Sequence, residues 1–130
     1  MIERYSRPGM KQVWSDENKY EKWLEDEIAV CEAWAAQGVI PKSAISKIKL
    51  ARLDLNRMGE IFKETHHDMT AFINALSESL GAESRFIHLG LTSSDVMDTA
   101  LSLQLVEAAG ILARDMKELT AVLAQQSLKY

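Results

Sequence analysis

The chain has 130 residues, with 15 Lys and Arg against 19 Asp and Glu, a net charge of −4, and 47% apolar and 26% charged residues. That is the size of one domain and the composition of an ordinary soluble globule, which excludes intrinsic disorder and collagen-like repeats. The acidic balance offers no basic stripe for a phosphate backbone, no uninterrupted apolar run reaches the ~18 residues of a membrane span, and the start Met1-Ile2-Glu3-Arg4-Tyr5 lacks a leader's apolar core, so nucleic acid and membrane are set aside as partners and the expected compartment is the cytoplasm.

Helical spacing accounts for nearly the whole chain and no strand-length alternation of period two occurs, so the expected class is all-α. Arg4-Tyr5-Ser6-Arg7 lies ahead of any expected helix. A planar guanidinium beside a phenol suits a phosphate or a carboxylate, and taken alone the run reads as a solvated N-terminal arm. The first strong helix starts at Ser15 as N-cap, with Asp16 and Glu17 favouring the positive end of the dipole. Its apolar stripe is Tyr20, Trp23, Leu24, Ile28, Cys31, Trp34 and Ala35, and Gly38 is the natural stop. Cys31, the single cysteine, excludes an intrachain disulfide or a thiolate-based zinc site and has the placement of a buried structural thiol.

Pro41 opens a short helix carrying Ile45 and Ile48. A third helix begins near Asp54, with Leu55, Met58, Ile61 and Phe62 on one side and Gly59 as its weak point. A fourth follows Thr65, where Thr65 and Asp68 have capping-box spacing with Asp in the usual Glu position. Met69, Phe72, Ile73, Leu76 and Leu80 form its buried face before Gly81. At its head, His66 and His67 are adjacent and therefore diverge, which makes a shared metal geometrically poor. One of them can act as acid, base or carboxylate ligand; equally, they read as exposed histidines beside a capping Asp.

The last element follows His88-Leu89-Gly90-Leu91-Thr92-Ser93-Ser94-Asp95, a glycine turn feeding hydroxyls into a helix start. Thr92 or Ser93 as N-cap with Asp95 inside the first turn explains part of the run; three consecutive hydroxyls exceed what capping needs and suit an anionic ligand. His88 reads as a turn residue. From about Ser93 to Tyr130 the pattern is one helix, on the order of 55 Å long. Val96, Leu101, Leu105, Ala108, Leu112, Met116, Leu119 and Leu123 form its main stripe, with Met97, Leu103, Ile111 and Val122 off it. A helix apolar on more than one side needs several neighbours, and self-association through residues 96–123 is expected. With no cap or breaker near Tyr130, the reading is an N-terminal fragment: a small helical domain over 1–92, then a truncated first helix of a central bundle over 93–130.

Arg4-Tyr5-Ser6-Arg7-Pro8 with Met10 and Trp14, then Thr65-x-His67-Asp68, then Gly90-Leu91-Thr92-Ser93-Ser94-Asp95 resembles, in order and spacing along essentially the whole chain, the start of the adenylosuccinate lyase family. The Thr-Ser-Ser-Asp element is shared across the wider fumarase, aspartase and argininosuccinate lyase superfamily; the Arg-Tyr-Ser-Arg-Pro run narrows the match. The resemblance implies an all-helical homotetramer that eliminates fumarate from adenylosuccinate, giving AMP, and from succinylaminoimidazole carboxamide ribotide in purine biosynthesis, with no cofactor and no metal. It assigns Arg4 and Tyr5 to the nucleotide phosphate, and Thr92 and Ser93 to the succinyl carboxylate. His67 is assigned to orienting substrate and stabilising developing charge, and Asp68 to fixing the loop and the imidazole. His66, where the family more often has Arg, Lys or Asn, is placed with the substrate-binding residues. The family's proton-donating histidine and proton-accepting serine fall beyond residue 130, and its sites are assembled from several subunits, so these 130 residues alone are expected to be inactive. Two other readings stand beside it: another superfamily lyase such as a carboxymuconate cycloisomerase, and a non-enzymatic helical oligomerisation module.

Overall fold

Helix-forming sequence fills the computed structural model, which describes residues 3–130 and has no strand among them; Met1 and Ile2, part of the start read above for a leader, lie outside that range. The N-terminal run is more structured than an arm. Glu3–Tyr5 forms a 3₁₀ turn, and Pro8–Val13 forms a first helix, α1, that the sequence reading did not anticipate. Pro8 sits at its first position, where the missing N–H costs nothing.

The long second helix, α2, spans Asp16–Ala36, and the Ser15 hydroxyl accepts from the Asn18 N–H at 3.1 Å as its cap. Gly38, at φ 77°, turns the chain just past its end. The short α3, Lys42–Ile48, follows Pro41, and α4, Leu55–Thr65, is capped by Asp54, whose Oδ1 accepts from the Asn56 and Arg57 N–H groups. Gly59 does not interrupt it. The fifth helix, α5, runs Asp68–Leu80 and ends at Gly81, φ 62°; a 3₁₀ segment over Gly81–Phe86 and a turn then lead to α6, Ser93–Ser127.

The core lies around α2. Trp23 meets Phe72 of α5 edge-on with ring centroids 5.3 Å apart and Tyr20 edge-on at 5.0 Å, an arrangement that adds to the area buried. Met69, Phe72 and Leu76 of α5 are fully buried, as their spacing predicts. Cys31 is buried too: its Sγ–H donates to the Phe86 carbonyl at 3.4 Å, and burial, with the Glu27 charge second, pushes the thiol up to about 11. It is a structural thiol.

On the opposite side of α2, α6 runs antiparallel. The face it buries is Val96, Ala100, Gln104 and Ala108, a four-residue row of mostly small side chains that lets two helix backbones approach. The leucines read as the main stripe, Leu101, Leu105, Leu112, Leu119 and Leu123, are instead exposed. Polar groups tie the junction together. Gln104 Nε2 and Asn18 Nδ2 both donate to the Val13 carbonyl left open at the end of α1, at 2.7 and 2.9 Å, and Glu107 accepts from Asn18 and from Lys22. By length and mean composition α6 is also able to cross a membrane. Its first half packs on α2 and keeps Glu107 in an ion pair, which is the behaviour of a bundle helix.

Candidate active site

The corner between α4 and α5 places the two adjacent histidines. His66 ends α4 in the left-handed conformation, φ 51°, and His67 returns to extended backbone as the N-cap of α5. The capping box expected from Thr65 and Asp68 is not formed, because Thr65 still belongs to α4. The His67 ring is the cap instead: its Nδ1 accepts from the Thr70 N–H at 3.3 Å. An accepting Nδ1 carries no proton, so in the neutral ring Nε2 carries it and is a donor. Asp68 Oδ1 lies 3.9 Å from His67 Nδ1, beyond hydrogen-bond range, and takes the Met69 N–H at 2.8 Å. Both histidines and Asp68 line a cleft of about 690 Å³, with Leu55, Met58 and Phe62 of α4 as apolar wall and Asp16, Glu17 and Tyr20 of α2 opposite. That volume suits a small organic ligand. Among the described residues no three His, Cys, Asp or Glu groups converge as metal ligands.

A second polar centre is the start of α6. Thr92 is its N-cap, and Asp95 Oδ2 accepts from both the Thr92 N–H, at 2.7 Å, and the Thr92 hydroxyl, at 3.0 Å. Ser93 and Ser94 are then the first two helical residues, with hydroxyls and backbone N–H groups at the positive end of the helix, where an anion is favoured. These hydrogen bonds from Thr92 hold the Asp95 carboxyl below its ordinary range. Because the folded value is depressed, the cap's contribution is complete above about pH 4 and is lost as pH falls through the folded value. Asp95→Asn is therefore expected to melt below the parent at pH 7, with the gap closing on acidification. A gap that persists unchanged at pH 3 would remove the charge from the explanation.

The turn ahead of Thr92 holds the feature the sequence reading missed. His88, taken as a turn residue, is left-handed at φ 62°, and its ring and main chain are both bound by Glu27 of α2. Glu27 is completely buried, yet accepts from the His88 N–H at 2.7 Å and meets His88 Nδ1 at 2.6 Å. A signal existed: Glu27 lies four residues from Trp23 and four from Cys31, on the buried stripe rather than among the solvated acids. Trp34 Nε1–H donates to the Leu89 carbonyl at 2.9 Å and anchors the same turn.

Arg4 and Tyr5 are elsewhere. The Arg4 guanidinium lies over the Tyr5 ring at 4.8 Å, and the adjoining Arg7 pairs with Asp115 of α6 at 3.6 Å. From Ser93 to Asp115 is about 33 Å along the helix axis. The structure thus gathers His66, His67 and Asp68 in one cleft, sets Thr92 and Ser93 at another helix start, and leaves Arg4 and Tyr5 far along α6 from them.

Comparison with known proteins adds the family context. A family model described as Lyase matches residues 3–130. The chain is 49% identical over its full length to the adenylosuccinate lyase of Bacillus subtilis strain 168, and 48% identical, again over its full length, to that of Staphylococcus saprophyticus. It spans 30% of the length of each of these relatives. Among solved structures, the 3-carboxy-cis,cis-muconate lactonizing enzyme of Pseudomonas putida superposes with TM-score 0.88 at 31% identity, covering 97% of this chain and 31% of that one. A fumarate lyase from Mesorhizobium sp. BNC1, with TM-score 0.74 at 23% identity over 83% of this chain and 26% of that one, shares the fold.

Proposed function

The chain belongs to this lyase family, and from that premise we propose that it forms part of an adenylosuccinate lyase, a carbon–nitrogen lyase that releases fumarate from adenylosuccinate and from succinylaminoimidazole carboxamide ribotide. The observation that carries the proposal is 49% identity over the whole chain to a relative of that name. Such a β-elimination removes a proton beside a carboxylate, spreads the charge into that carboxylate, and protonates the departing nitrogen. The start of α6 supplies what the carboxylate requires, the Ser93 hydroxyl and the open N–H groups of a helix N-terminus, with Thr92 exchanging its hydroxyl bond to Asp95 for one to the substrate. His67, with Nε2 as donor in the neutral ring, supports the developing negative charge, His66 and Asp68 complete the wall of its cleft, and Arg4 with Tyr5 takes the nucleotide phosphate.

Because Arg4 and Thr92 are so far apart along α6, one site takes them from different subunits on this reading; a homotetramer and a cytoplasmic location are proposed from the family resemblance. The 130 residues alone are proposed to be inactive, and the reaction to need neither metal nor cofactor. The test is fumarate release by the full-length enzyme encoded by the same reading frame. Steady ultraviolet growth of fumarate from adenylosuccinate supports the assignment; a folded tetramer that releases none defeats it. The likeness to the Pseudomonas lactonizing enzyme favours a second reading, a superfamily lyase for unphosphorylated polycarboxylates such as a carboxymuconate. Equal turnover of phosphorylated and unphosphorylated substrates would select that reading.

A further inference from the structure

A carboxylate with no exposure is costly to bury, and the fold retains one at Glu27. Both of its oxygens are used on a single residue. Oε2 accepts from the His88 main chain and Oε1 from His88 Nδ1, at a position whose left-handed backbone disfavours any side chain. Structural need alone does not explain the arrangement, because a glycine at 88 would make the turn without strain and an apolar residue at 27 would fill the core without a charge. The bond also dictates chemistry. A carboxylate can only accept, so Nδ1 carries a proton and, in the neutral ring, Nε2 presents a lone pair. The ring is 19% exposed and stands at the turn that delivers Thr92 and Ser93. His67 has the opposite tautomer, with its Nδ1 accepting.

We propose that Glu27 is a positioning residue of the elimination site, holding the His88 ring with its Nε2 lone pair available beside the Thr92–Ser93 helix start. This assignment rests on the lyase reading above. Glu27→Gln tests it with almost no change in volume: the amide oxygen still accepts from the His88 N–H, whereas the amide NH₂ faces Nδ1 and drives the ring proton to Nε2.

In the full-length enzyme, Glu27→Gln is expected to lower kcat by on the order of tenfold to a hundredfold with KM within about threefold, the size seen when a hydrogen-bond partner that orients a metal-ligating histidine is altered. His88→Asn, which tolerates the left-handed backbone, is expected to lose a similar factor, and the double variant no more than either single one. A Glu27→Gln enzyme within twofold of its parent, or losses that multiply in the double variant, overturns the proposal. Nitrogen chemical shifts of His88 in ¹⁵N-histidine-labelled parent protein give a reading independent of turnover and of whether the variant folds. A neutral ring with its proton on Nδ1 supports the assignment, and a proton on Nε2, alone or in the imidazolium, overturns it. A parent that releases no fumarate defeats the lyase reading, whereas an active parent unaffected by Glu27→Gln defeats the Glu27 assignment alone.

Discussion

Replacing His67 by Asn in the full-length enzyme is expected to lower kcat/KM for adenylosuccinate by about a hundredfold or more while leaving the melting temperature nearly unchanged. The two effects separate because this side chain has two jobs. Its Nδ1 caps α5 by accepting the Thr70 N–H, and Asn is among the best residues at such a position. On the proposed reading its Nε2 is the donor presented to a substrate carboxylate. His67→Ala loses both functions: turnover of the full-length enzyme falls as for Asn, and the lost cap costs about 1 kcal/mol, visible as a melting shift of several degrees when the 130-residue chain is melted. Steady-state kinetics and thermal melts on the two variants decide the matter. An Asn variant with turnover within threefold of the parent would reduce His67 to a cap and leave the cleft at the α4–α5 corner without a donor.

That double use explains why the sequence was readable here only in part. The spacing of Met69, Phe72 and Leu76 places α5 correctly, since an apolar face has one way to bury itself. The cap was misread because Thr65 and Asp68 satisfy a pattern, whereas the backbone of His66 is left-handed and moves the helix start by two residues. A similar limit applies at the other end of the chain. Leucine is the conventional marker of a buried stripe, yet α6 turns Val96, Ala100, Gln104 and Ala108 toward α2, because close approach of two helices favours small residues and because the Val13 carbonyl needs the Gln104 amide. Glu27 and His88 lie at the far limit of legibility. Each is an ordinary residue type in its own segment, and only the packing of α2 against the turn before α6 turns them into a buried pair. The Thr92 to Asp95 start was legible because its contacts are local in sequence, three residues apart.

The outward face of α6 carries the second large expectation. Leu112 and Leu119 are 56% and 53% exposed, with Leu105, Met116 and Leu123 along the same helix, and every residue of α6 beyond Ile111 is exposed. An apolar surface of that length calls for a partner, and on the proposed lyase reading, in which one site uses both Arg4 and Thr92, that partner is another copy of this chain. The 130-residue chain is therefore expected to self-associate in sedimentation equilibrium, and Leu112→Glu with Leu119→Glu to weaken that association by about a hundredfold or more, since burying each leucine contributes about 1.5 to 3 kcal/mol. The substitutions lie on an exposed surface, so helix content and the packing of α1 to α5 should be preserved by circular dichroism. In the full-length enzyme the same pair should abolish fumarate release together with assembly, because on the proposed reading a lone subunit holds Arg4 and Thr92 too far apart for one substrate. A parent chain that remains monomeric at high concentration, or a dissociated double variant with full turnover, would show instead that each subunit closes its own site.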